Sequence, residues 1–355
     1  MDGANGTSNK ESDEGQRADI RIIARSLALK NFTSQWFLAP QGTGIIATIL
    51  HQLPYQFHGL AIISQCFWVL TIVMLCMMLL VYIARAAIYP SHVRQQLQRD
   101  FMETACLSSI SIAFTTIIQM IPLNLIQWNQ GWGTVAYVLW WINLPMAVGG
   151  CIGIFYVFTS MEASGFDNVP AAIRLPVISV LTIAAGGGVI CRYGQLSANL
   201  QVPIIITSYL CVGLGIFLAL LCDAALMMRL LDHSWPAKQQ IFTVMIACGP
   251  WGQASFAMQI LGNAASVGAF ANYHAQASFI NATAGTTVST CGILLALLLW
   301  GYGTFWWSFS IIGILHEFAS NPKSLLQWDR HLSAWALVFP WVRMSMDRLY
   351  HCTAS

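Results

Sequence analysis

Charge is scarce in this chain. Asp, Glu, Lys and Arg make up only 8% of its 355 residues, and 57% are hydrophobic. A soluble domain carries about a quarter charged residues, so this composition, with a mean hydropathy of +0.63, excludes a soluble globular protein and assigns the chain to a bilayer. The net charge of +2 offers no basic surface to nucleic acid. The ten cysteines form no CxxC and no close pair, which excludes the usual metal-ligand spacings. Most lie inside apolar stretches and read as small packing residues. A Cys191–Cys352 bridge requires both to face the oxidising side. HExxH, GxSxG, a Walker loop and GxGxxG followed by an acid are all missing, so no enzyme and no cofactor is expected. The ten-residue alternation of outer-membrane barrel strands is missing too. Residues 1–19 lack the apolar core of a signal peptide, and Glu11, Asp13 and Glu14 argue against a mitochondrial presequence.

What is present is a series of long hydrophobic stretches. A spanning helix needs about 20 mostly apolar residues. Nine stretches reach or approach that: 34–53, 62–89, 102–126, 132–160, 171–192, 202–230, 238–262, 286–315 and 332–350. The expected organisation is a polar cytoplasmic tail over 1–30, a transmembrane domain over 31–350 and a short tail over 351–355. Within the first part, residues 20–30 read either as an interfacial helix or as a plain basic flank. With the N-terminus in the cytoplasm, 13 of the 16 Lys and Arg fall on the inner side, leaving Arg192, Arg343 and Arg348 outside. That asymmetry supports an inside N-terminus. It also places the sequon at Asn281 outside, although a three-residue motif says little about its use.

The odd-numbered stretches differ from the even ones. Each odd stretch carries a proline, and four carry small or hydroxyl side chains at helical spacing: Gly42, Thr43, Gly44 and Thr48; Ser111 and Thr115, followed by Gln119; Ser179 and Thr182; Gly249, Gln253 and Phe256. Residues three, four or seven apart share a helix face, and a polar face is costly in lipid unless it meets protein or water. The second stretch is nearly pure hydrocarbon. The expected fold is therefore all-α: helical hairpins around a central pore, odd members inside. Pro176, Pro250 and Pro340 are expected to break helices and expose the positive ends of half-helices to an anion. The interiors of the odd stretches lack Lys and Arg, Arg174 being counted with the cytoplasmic connections. A path without a fixed cation holds anions weakly, which suits conduction. Single hydroxyls in such helices equally often bond their own backbone. Asp223, the one carboxylate outside the connections, reads first as a pairing residue near the inner interface and second as a proton relay.

Several motifs resemble a known family. Gly42-Thr-Gly44 after Trp36-Phe37, Leu53-Pro-Tyr55, Ala113-Phe-Thr-Thr-Ile117, Gly249-Pro-Trp-Gly-Gln-Ala-Ser-Phe256 and Ala334-Trp-Ala-Leu-Val-Phe-Pro340 together resemble the tellurite-resistance/dicarboxylate transporter (voltage-dependent anion channel) family, in its fungal sulfite efflux pump and malate permease branch. The resemblance implies ten helices in five hairpins, a pore of odd helices, trimeric assembly, and a pore gate at Phe339. It implies plasma-membrane transport of small anions, sulfite or bisulfite first and malate or another C4-dicarboxylate second. After Pro340 this chain departs from the family's glycine-containing half-helix and tenth span, so a truncated, non-transporting protein is the remaining alternative.

Overall fold

The computed structural model describes residues 27–320 except 28, 54, 162–170 and 234–237. Its main helices are α1 (Leu38–Gln52), α2 (Leu60–Ile88), α3 (Ser108–Asn124), α4 (Gly131–Thr159), α5 (Leu175–Tyr193), α6 (Ala198–His233), α7 (Gly249–Ala264) and α8 (Ala282–Ser320). They correspond one to one with the first eight expected stretches. The ninth, 332–350, with Phe339 and Pro340, lies outside the described residues, as do residues 1–26 and Cys352.

Among the described residues, six helical segments are long and apolar enough to cross a membrane. The first and seventh stretches fall short of a full regular span for a local reason. A 3-10 turn, Ser34–Phe37, precedes α1, and an 11-residue 3-10 segment, Lys238–Cys248, precedes α7. The third stretch is likewise divided, a short helix Phe101–Cys106 preceding α3. Pro176 and Pro250 stand in the first turns of α5 and α7. There a missing N–H costs no intrahelical bond. Pro176 opens α5 where the 3-10 turn Ala171–Arg174 gives way to it, and Pro250 opens α7 where the 3-10 segment Lys238–Cys248 ends. Proline also fails to separate odd helices from even ones, because Pro145 lies inside α4 and Pro203 inside α6.

Burial does separate them. In the most apolar windows of Phe101–Asn124 and Ala171–Tyr193, 78% and 94% of residues are buried, against 11%, 28%, 39% and 17% for the segments of α2, α4, α6 and α8. Every residue of α7 except Asn263 is buried, as are the first eight of α1. Apolar residues such as Met77, Leu80, Leu210 and Leu298 cover the exposed faces of the even helices, where hydrocarbon is the matching solvent. The inner helices pack as an arc, α1 on α3, α3 on α5, α5 on α7, and each even helix packs on its hairpin partner. Glycine permits the closeness. Consecutive glycines of α5 face three neighbours: a Cβ on Gly186 would collide with Thr115 of α3, one on Gly187 with Ser208 of α6, and one on Gly188 with Ile260 of α7. Gly44 lies equally close to Thr116. Membrane helices use small residues in this way.

Candidate functional site

Apart from Ser109, the hydroxyls of the described inner helices are bonded within the protein. Thr43 donates to Pro40 O, Thr48 to Gly44 O, Thr115 to Ser111 O, Ser179 to Pro176 O and Thr182 to Ile178 O, at 2.7–3.2 Å. Side-chain hydrogen bonds also link helices. Thr71 of α2 donates to Thr43 at 3.0 Å. Asn143 of α4 donates to Thr115 Oγ1 at 2.8 Å and accepts from Ser111 at 2.9 Å. Gln253 Nε2 donates to Thr182 Oγ1 at 3.0 Å. The first two tie an inner helix to its own outer partner. Among the described residues, only Thr182–Gln253 joins two inner helices by a side-chain hydrogen bond. Gly42, Gly44 and Gly249 are buried backbone positions, and Phe256 is wholly buried in the main apolar cluster.

The side-chain atoms left unmet on the inner helices are mainly amide oxygens. Oε1 of Gln41 (α1), Gln119 (α3) and Gln253 (α7), and Oγ of Ser109 (α3), are buried without a hydrogen-bond partner among the described residues. Each such group costs about 1–3 kcal/mol unless water or a ligand meets it. The interior thus holds free polar capacity on three of the four described inner helices.

Among the described residues two buried ion pairs flank this interior; sequence reasoning assigned Arg174, Arg85 and Glu103 to connections and named no partner for Asp223. Arg174, wholly buried, bonds Asp223 Oδ1 through Nε at 2.6 Å and Cys222 O through Nη2 at 2.8 Å. The other oxygen of Asp223 accepts from Trp251 Nε1 at 2.8 Å, and the guanidinium lies 5.7 Å from the centroid of Trp306. The pairing reading of Asp223 therefore holds, with Arg174 as partner. In the second cluster Arg85 Nη1 meets Glu103 Oε1 at 2.6 Å, and Arg85 also donates to Gln96 and to Lys30 O. Glu103 Oε2 accepts from the Ser34 backbone N–H at 2.8 Å. The available signal was that Arg85 and Glu103 each lie within an apolar stretch, where a lone charge requires a partner. Asn281 caps α8, its Oδ1 accepting from Ala284 N at 2.8 Å. That is a structural use for the sequon's asparagine.

Polar inner helices within an apolar outer shell define a multi-span membrane protein with a polar interior. The chain belongs to the voltage-dependent anion channel (SLAC1) family, which matches residues 31–350. Such membership makes it an anion-transport protein of the membrane. A sulfite efflux pump of Arthroderma benhamiae is 27% identical over 315 residues, which cover 88% of this chain and 80% of that protein. One from Candida albicans is 24% identical over 331 residues, 90% of this chain and 66% of its own length. An uncharacterized transporter of Methanocaldococcus jannaschii is 25% identical over 312 residues, 88% of this chain and 82% of its own.

Proposed function

We propose that the chain carries sulfite or bisulfite out of the cell across the plasma membrane, with its N-terminus in the cytoplasm. The observation that carries this reading is the similarity, along nearly the whole chain, to proteins named sulfite efflux pumps. The fold agrees with it. The arc α1–α3–α5–α7 has buried, polar-striped members, and the ninth stretch would complete a ring around a path between them. Phe339 would be its gate, and a trimer its assembly. The driving force is the anion gradient plus the membrane potential, about 2.3 kcal/mol per charge per 100 mV.

Expression in a yeast strain lacking its own sulfite exporter tests this directly. Growth on sulfite should be restored. Sensitivity that persists although the protein reaches the cell surface would remove the sulfite assignment. Uptake of labelled malate into vesicles would then decide for the dicarboxylate alternative. Phe339→Ala should raise anion current severalfold in voltage-clamped cells, and an unchanged current takes Phe339 out of the gate role.

A further inference from the structure

Apart from Ser109, the inner hydroxyls are bonded within the protein, whereas inner amides such as those of Gln119 and Gln253 keep a carbonyl oxygen unmet among the described residues. Gln119 is 1% exposed and Gln253 0%, and the Oε1 of each meets no partner among the described residues. Both amides lie against one face of α5. Gln253 Nε2 donates to Thr182, and Gln119 Nε2 stands 3.3 Å from where a Cβ on Gly186 would be. Thr182 and Gly186 are four residues apart on one helix face, about 6 Å along the axis. Helices α3, α5 and α7 thus set the two amides against positions of α5 that are about one helical turn apart.

The surrounding charge narrows what could bind there. The two fully buried cations among the described residues are both neutralised, Arg85 by Glu103 and Arg174 by Asp223. The cost of desolvating an ion rises with the square of its charge, and a buried dianion ordinarily recruits a fixed cation. An amide pair supplies none. It supplies N–H donors for an anion's oxygens and C=O acceptors that themselves need a proton. A fully deprotonated ion leaves those acceptors unmet, whereas an acid anion that keeps one O–H satisfies both ends.

We propose that Gln119 and Gln253, the latter held in place by Thr182, form an ion-binding site between α3, α5 and α7 that favours singly charged oxyanions carrying an acidic proton over dianions. Bisulfite in its O–H form is such an ion, so the proposal rests on the sulfite reading above and specifies the species carried.

The test uses the full chain in lipid vesicles, with sulfite and nitrate as probes. The leak of protein-free vesicles is subtracted, since sulfur dioxide crosses lipid unaided. At constant total sulfite, flux should rise as pH falls and bisulfite replaces sulfite, while nitrate flux stays level. Gln119→Met and Gln253→Met keep side-chain length and remove the amide. Each should lower sulfite flux relative to nitrate flux by about tenfold, the effect of one hydrogen bond to a charged group. Sulfite flux that follows the dianion, or a sulfite-to-nitrate ratio unchanged in both variants, overturns the site. If the Met variants do not fold, Gln253→Glu decides: a carboxylate of the same shape should cut nitrate flux about tenfold or more, and undiminished nitrate flux overturns the proposal. A wild-type chain that passes nitrate but no sulfite refutes the sulfite reading, and the site then stands or falls on Gln253→Glu. A chain that passes neither anion overturns both.

Discussion

Arg174 and Asp223 show how a single contact can organise several helices. The guanidinium comes from the turn before α5, the carboxylate from α6, and the carboxylate's other oxygen holds Trp251 in the first turn of α7. The Tyr302 hydroxyl of α8 reaches the same carboxylate. Removing one member of a buried pair leaves an uncompensated charge, which costs about 3–5 kcal/mol, whereas an apolar replacement of both can be neutral. Asp223→Leu alone should therefore sharply lower the melting temperature of the purified protein, and Arg174→Met in addition should restore much of it. If the double variant is no more stable than the single, the pair is not the source of the loss. Trp251→Phe keeps the ring and removes only the N–H, so its expected cost is about 1–3 kcal/mol. The pairing role of Asp223 was legible because a lone acid in an apolar stretch requires a partner. Its actual partner was not, because Arg174 lies 49 residues away in sequence and only the packing of α5 on α6 brings them together.

At the scale of the element, small residues and apolar residues have divided the work. The glycines of α5 that face neighbours have no room for a methyl group, while Gly149, Gly150 and Gly153 of α4 face open space. Gly187→Ala should cost about 1–3 kcal/mol through overpacking against Ser208, Ile204 and Trp140. Gly150→Ala should be neutral or stabilising by up to about 1 kcal/mol, since alanine is the better helix former. Thermal unfolding of the two variants side by side checks this, and equal midpoints would contradict the close packing of α5. The existence, order and inner or outer placement of the first eight helices were readable because hydrophobic length and polar stripes are local patterns. The 3-10 segment before α7 was not, since an unbroken apolar run from 238 looks like one helix. The roles of the stripe were only partly readable. Ser111 and Thr115 have the spacing of a lined face, yet their nearest polar partner is Asn143 on an outer helix.

Across the whole molecule, orientation is the largest proposal open to a simple test. Tyr55, 88% exposed between α1 and α2, should lie outside, and Arg94, exposed between α2 and α3, should lie inside. A membrane-impermeant maleimide should label Tyr55→Cys in intact cells and Arg94→Cys only after permeabilisation, each measured against the parent chain. The reverse pattern would invert the topology. The amino-acid sequence by itself determined that this is a helical membrane protein, which stretches span, which of them are polar and which family they build, because bilayer thickness and helical period impose those patterns locally on any chain. Tertiary structure decided which polar groups remain available. It spent nearly all the inner hydroxyls on backbone carbonyls and neighbouring side chains, neutralised Arg85 and Arg174 with carboxylates distant in sequence, and left the amide oxygens of Gln119 and Gln253 unmet beside α5. Hydrogen-bond satisfaction depends on which helix faces which, and no local pattern encodes that.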